Sequence, residues 1–468
     1  MEVESVTPVT SRPMGQTEKL FYGMRNFGGA NACVIAELRG GFSTQKMTDA
    51  LKRVVARHAL LRCNVTVREG GEPHLELHDH TDVPLVVVEG GGSDVVEELI
   101  SAALETDYYS RPWLWELTCV LDRTDPKRFW MILCVNHSLT DGTHISHMLH
   151  NVLVAYTDPN ALRDGALNSI EPTLESYQTY RVKFKDQWSF WAPQLKKLFY
   201  RVEDMKPEGR ADFGVRKTGT EFRQFDEDFT SRLRKKARAN QTTVNAALTA
   251  AILFAMAKRI DEERRLRISL DTNVSFRKEF GVPAEQAGPL VSILNLTFEV
   301  EPTQSFWELA RACKAQLVDC QSKNLQWVAN PMWASTQRWM SDATRMKFLN
   351  GEKLGRLNVG GISNVGELNI PTQLPGLRIE SMRITAAQHG FGYYFANYVL
   401  SQGGRLGINL AFSEPLVSRA TAQAFMGTLA DALAQALAAD EFSLADLKPK
   451  AAAVESVPAR SGELTNVA

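Results

Sequence analysis

Two hydrophobic periodicities alternate along this chain. Residues 31–37, "NACVIAE", form a short, mostly apolar run of strand length. Ser43 then stands as a cap before Met47, Leu51, Val54 and Val55, whose helical spacing predicts a helix to about His58. "LLRCNVTV" and "HLELHD" alternate like paired strands around the Gly-rich turn "EGGEP". Residues 82–88 predict a further strand, and 95–104 a helix with Ser93 or Asp94 as its cap. "WELTCVL" and "FWMILCV" flank the turn-rich "DRTDPKR" and predict a hairpin. From about Thr143 a helix carries Ile145, Met148, Leu149, Val152 and Leu153 on its apolar face. Strands and helices alternating in this way predict an α/β layered unit over the first 155 or so residues.

Between about 160 and 220 the pattern turns irregular, as expected of a crossover between two lobes. A second α/β unit follows. Helices are predicted at 230–239 and 242–258, then strands "LRISLDTNV" and "LVSILNLTFEV" and the helix "SFWELARACKAQLVDCQ". "RLNVGGISNVGEL" reads as a strand plus a turn. Strands around "GLRIESMRIT", "GYYFANYVL" and "RLGINLAFSE" and a last helix "RATAQAFMGTLADALAQAL" complete the unit.

Where the first unit passes from strand to helix lies "NHSLTDG", residues 136–142, with His137 and Asp141 four positions apart. His137, Asp141 and His144 fall at i, i+4 and i+7, a spacing that could hold a divalent metal on one helical face. "FWMILCV" reads as a strand, however, which removes His137 from any shared helix. The bland alternative is a satisfied histidine at a strand end.

Length and composition narrow the choice. At 468 residues the chain is too long for one ordinary core, and two domains of roughly 200 residues are expected. With 44% hydrophobic and 23% charged residues and a net charge of -1, the balance argues against nucleic acid or an anionic membrane surface as the main partner. Six scattered cysteines without a CxxC pair fit a reduced, cytoplasmic setting. The first residues lack a secretory pattern, and the most apolar stretch, "AALTAAILFAMA", is too short to cross a bilayer. Residues 449–468 read as a disordered tail.

"NHSLTDG" resembles the HHxxxDG motif of the acyltransferase superfamily that includes chloramphenicol acetyltransferase, peptide-synthetase condensation domains, alcohol acetyltransferases, polyketide-associated acyltransferases and plant BAHD enzymes. "GQTEKLFY", "ALLRCNV", "RPWLWELTCVL", "TTVNAALTAAI", "ISLDTNVSFRKEF" and "GISNVGEL" extend the likeness over the chain, in the family's order and in the manner of alcohol acetyltransferases. Two features depart from it. Asn136 stands where the motif has its first histidine, and the plant enzymes' DFGWG motif is absent, "DFGV" at 212–215 being only an echo.

The resemblance implies two chloramphenicol-acetyltransferase-like lobes, each a mixed sheet packed with helices, with the active-site channel between them. On the sequence the lobes fall at 1–180 and 223–448, joined by a crossover at 181–222. It implies that His137 is a general base, that Asp141 pairs with Arg277 to fix the loop, and that Gly142 leaves room for the acyl and pantetheine chain. Asn136 becomes a supporting residue. Ser363 and Asn364, on an expected turn, become oxyanion donors. His389 either lines the acceptor pocket or is a buried, satisfied histidine. The basic run 232–240 is read as a solvated helix face rather than a contact for CoA phosphates or a carrier protein.

The implied reaction is acyl transfer from acyl-CoA or a carrier-protein phosphopantetheine thioester to the hydroxyl of a small-molecule acceptor. No covalent intermediate, bound cofactor, metal, nucleic acid or membrane span is expected. Amide formation on an amine is the alternative, disfavoured because these residues include no carrier or adenylation segment; a non-catalytic binding module is another. The aromatic-rich "WSFW", "NLQWVANPMWASTQRWM" and "HGFGYYFANY" hint at a bulky apolar substrate.

Overall fold

In the computed structural model of this protein, residues 8–448 are described except 29, 80, 81, 163–168, 179, 198 and 440. The tail expected from 449 lies outside the described residues. Two six-stranded mixed sheets and one small three-stranded sheet organise the rest.

The first large sheet runs in the order Gln373–Leu374, Leu377–Ala386, Asn31–Gly40, Arg128–Asn136, Trp115–Asp122, Leu85–Gly91. Its central strands are buried along nearly their whole length, as continuous apolar runs such as "FWMILCV" require. The helices Thr44–Ala56, Ser93–Glu105 and Gly142–Thr157 belong to this half. The second sheet runs Val291–Val300, Leu266–Ser275, Arg356–Leu368, Gly392–Gln402, Arg405–Glu414, Lys217–Phe225. Val244–Ile260 packs between Phe306–Ser322 and Arg419–Ala438, and residues 246–257 are all buried. Among the described residues no single helix is long and apolar enough to cross a membrane; the bent pair Glu227–Ala239 and Val244–Ile260 meets only the length and composition criteria, and its apolar half is core.

The division between halves differs from a cut at 222/223. Lys217–Phe225 is one continuous strand of the second sheet, so that boundary falls inside an element. Leu377–Ala386 leaves the second half altogether and pairs antiparallel with Asn31–Gly40 in the first sheet, Thr385 opposite Cys33. The two lobes are interleaved by the backbone, and hydropathy along the chain carries no mark of that exchange.

Local corrections have local causes. The helix at 93 is capped by Gly92 with no side-chain hydrogen bond, while Ser43 does accept from the Lys46 amide. The irregular stretch after 160 contains a full helix, Phe184–Lys196, whose apolar face points outward and so escapes a core-seeking reading. Arg356–Leu368 is strand throughout. A register irregularity between Asn364 and Gly366, with φ +87° at Gly366, takes the place of the expected turn.

Phe254 is fully buried and meets Phe306 and Phe442 with ring centroids 5.6 and 5.9 Å away. Phe254→Ala is expected to lower the unfolding free energy by about 3–5 kcal/mol. Urea denaturation followed by far-ultraviolet circular dichroism measures it.

Candidate active site

His137 follows directly on the strand Arg128–Asn136, and the helix Gly142–Thr157 begins five residues later. The loop between them is tightly held. The His137 amide donates to the Ala30 carbonyl at 2.6 Å and the Leu139 amide to the Asn136 carbonyl at 3.0 Å. Asp141 caps the helix, accepting from the amides of Thr143 and His144 at 3.1 and 3.0 Å.

The same carboxylate reaches across to the second half. Arg277, at the start of the short helix after Leu266–Ser275, donates through Nε to Asp141 Oδ2 at 2.9 Å, and its Nη2 also lies 2.9 Å from that oxygen. The Leu290 amide donates to Oδ2 at 3.2 Å. Arg277 spends its remaining donors on the carbonyls of Pro283 and Gly288. Both side chains are almost wholly shielded, at 1% exposure for Asp141 and 7% for Arg277.

The imidazole of His137 stacks on Phe21, with centroids 4.2 Å apart and planes 12° from parallel. Its Nδ1 is buried without a well-formed hydrogen bond, so Nε2 is the nitrogen left open to the cavity that His137 lines. Burial pushes the pKa below the usual imidazole value, and the nearby carbonyls and the Asp141 carboxylate temper that push. The ring is neutral at pH 7 and able to accept a proton.

That cavity, about 170 Å³, lies between the two sheets. Phe21, His137, Gly142 and Ile384 belong to the lining from one lobe, and Ser363, Tyr393 and Asn397 to the lining from the other. Tyr393 Oη donates at 2.8 Å to Asp271, a carboxyl whose pKa burial raises. Among the described residues of the three aromatic-rich segments, only those of "HGFGYYFANY" border this cavity; Trp188 and Trp327 do not.

Other candidate residues separate. Asn136 is buried, donating to Asn31 and accepting from Tyr109 Oη at 2.7 Å and Ser138 Oγ at 2.8 Å, so it braces the strand end. A Cβ at Gly142 would lie 2.7 Å from Val365, so the glycine first makes room for the opposite lobe rather than for a ligand. Ser363 borders the cavity. Asn364 does not: its amide donates to Asn245 Oδ1 and its carbonyl oxygen accepts from Gly366 across the strand irregularity.

His389 lines a different cavity of about 110 Å³, bonded to Thr218 and stacked near Phe213 of the "DFGV" echo. Burial and the cationic Arg356 and Arg216 lower its pKa to about 4. His144 hydrogen-bonds Thr140, and no group of three or more potential ligands is placed to hold a metal among the described residues. In the basic run, Leu233 and Ala237 are buried while Arg232 and Arg234 pair with Asp228 and Glu367.

Two orphaned polar atoms lie buried behind the cavity lining. Thr385 Oγ1 and Asn397 Oδ1 both belong to cavity-lining residues and are buried without a hydrogen-bond partner. Neither carries a local motif. Thr385 arrives through the exchanged strand, and Asn397 is fixed by its Nδ2 donating to the carbonyls of Gly361 and Phe395.

The description "Condensation domain" belongs to a family model that matches residues 25–449. This chain belongs to the condensation domain family. Among curated relatives, one of the plipastatin synthase subunits of Bacillus subtilis (strain 168) is 22% identical over 277 residues, 56% of this chain and 10% of that protein. A nonribosomal peptide synthetase (criC) of Aspergillus cristatus is 26% identical over 175 residues, 37% of this chain and 7% of its own length. The condensation-domain chain thus spans about a tenth of these relatives or less.

Among solved structures, the condensation domain of the Monacolin K polyketide synthase superposes with a TM-score of 0.68 at 12% identity, covering 94% of this chain and all, 100%, of that one. The polyketide synthase associated protein 5 of Mycobacterium tuberculosis gives 0.63 at 16%, covering 92% and 99%. Both establish the shared fold. Condensation domains are acyl- and peptidyl-transferases that work on carrier-bound thioesters.

Arg277→Ala leaves the Asp141 carboxylate buried without its cation and is expected to lower the unfolding free energy by about 3–5 kcal/mol. Arg277→Lys, which keeps the charge but loses the fork, recovers only part. Equilibrium urea denaturation of the three proteins provides the comparison.

Proposed function

We propose that this condensation-domain chain transfers an acyl group from a carrier-protein phosphopantetheine thioester to an amine, forming an amide. The observation that carries the reading is His137, neutral at pH 7 with Nε2 open to a cavity between the lobes. The expectation of a hydroxyl acceptor leaned on the lack of neighbouring carrier and adenylation segments. That point has no force for a chain spanning about a tenth of its multidomain relatives or less.

The acceptor nitrogen attacks the thioester carbonyl, and the new C–N bond creates a tetrahedral oxyanion. Nε2 of His137 takes the proton that nitrogen sheds and returns it to sulfur as the C–S bond breaks. Proton and charge balance without an enzyme nucleophile, because the thioester is already activated. Ser363 supplies a hydroxyl donor on the cavity wall in the role of an oxyanion partner. Asn364, tied to Asn245, drops out of that role.

Free-thiol release from acyl-phosphopantetheine and acyl-CoA donors, with amines and alcohols as acceptors, provides the test. His137→Ala is expected to lose about 10²–10⁴-fold in kcat. Mass spectrometry separates amide from ester; an exclusively ester product sinks the amine reading, and thiol release undiminished in the mutant sinks the base.

Because the base must be neutral and its pKa lies below 6.5, kcat/KM is expected to hold as pH falls to 6.5 and to drop only below it. A pH–rate profile locates that acid limb.

A further inference from the structure

The helix Phe184–Lys196 is inside out. At about 100° per residue, Phe184, Trp188, Trp191 and Leu195 share an arc of about 60°. That arc faces solvent: Phe184 is 82% and Trp188 60% exposed, and Phe199 just beyond the helix is 88% exposed. Phe190 anchors the opposite face, 5% exposed and edge-to-face with Trp333 at 5.9 Å. An apolar ridge of this kind costs free energy in water and needs an occupant.

Charge around the ridge indicates which occupant. Residues 181–201 hold six Lys and Arg against one acid, a net charge of +5 inside a chain whose total is -1. The acid, Asp186, is already used, accepting from Tyr180 Oη at 2.6 Å and from the Lys183 amide at 2.7 Å. Arg181, Lys183 and Lys185 are exposed at the helix N-terminus, where the backbone dipole disfavours cations. Helix stability therefore does not account for them. An exposed stripe of Trp, Phe and Leu with exposed basic residues on its flanks has the chemistry of an interfacial helix on an anionic lipid surface.

We infer that this protein docks peripherally on anionic lipid through Phe184, Trp188, Trp191, Leu195 and Phe199, with Arg181, Lys183 and Lys185 meeting the headgroups. The near-neutral whole-chain charge, which pointed away from such a surface, averages out a local cationic patch. The inference is independent of the acyl-transfer reading, since none of these residues borders the His137 cavity.

Flotation of the full chain with phosphatidylcholine vesicles, with and without about 30% phosphatidylglycerol, is the experiment. Wild type is expected to float with the anionic vesicles, less so as salt is raised. The triple variant Phe184→Ser, Trp188→Ser, Phe199→Ser and the charge variant Lys183→Glu, Lys185→Glu are each expected to bind at least about tenfold more weakly. These side chains are exposed, so circular dichroism and thiol release with soluble substrates are expected to match wild type. Wild type that does not float, or a triple variant that floats equally, overturns the inference. A wild-type dimer in sedimentation velocity that the triple variant dissociates overturns it too, because a second copy then covers the ridge.

Discussion

The Asp141–Arg277 pair is the constraint on which the rest of the site depends. A buried ion pair is stabilising only when every lone pair and proton finds a partner, since desolvating two charges otherwise outweighs their attraction. Here the requirement is met. Asp141 accepts from two amides of its own helix, from Arg277 and from the Leu290 amide, while Arg277 completes its donor set on Pro283 and Gly288. One carboxylate thereby caps a helix in the first half and clamps a loop of the second. The loop carrying His137 is held at both ends, at Ala30 and at Asp141, so the imidazole has little freedom to turn.

The interleaving of the sheets makes that clamp geometrically possible. Leu377–Ala386, crossing into the first sheet, brings Ile384 and Thr385 beside the motif helix. Gly142 admits Val365 at a distance no side chain would allow, so the motif helix and Arg356–Leu368 approach closely. The cavity is the space that remains between two sheets joined both by a strand and by an ion pair. Its polar lining is correspondingly composite, Thr385 belonging to one sheet and Ser363 and Asn397 to the other.

Legibility in the sequence followed the range of the interaction involved. Central strands such as Arg128–Asn136 and helices such as Thr44–Ala56 were readable because burial alone imposes their periodicity. His137, Asp141 and Arg277 were readable because the motif and the family's order of segments carry them. What depended on pairing between remote segments was not. Nothing near Thr385 announces that its strand changes sheets, and nothing near Phe21 announces that its ring will stack on His137. "GISNVGEL" read as a turn because Gly, Ser and Asn are turn formers, yet the parallel pairing to Gly392–Gln402 holds it extended and confines the irregularity to one register shift. Whole-chain charge concealed the cationic segment 181–201 for the related reason that an average discards position.

Asn136 shows how a departure from the family pattern can leave the chemistry in place. Its position is the end of a buried strand, opposite Asn31, whose own amide serves the carbonyls of Leu104 and Thr106. The side chain there must donate to Asn31 while accepting from Tyr109 and Ser138. A carboxamide does both at once and carries no charge into the interior. A neutral imidazole has one donor and one acceptor nitrogen, and protonation would turn both into donors facing hydroxyls in a dry site. The position is therefore occupied by whatever satisfies the bracing bonds, and the proposed proton chemistry needs only His137. Phe21 and the closed loop desolvate that one ring and keep it neutral near pH 7, so the packing of the first lobe itself sets the protonation state that the proposed transfer requires.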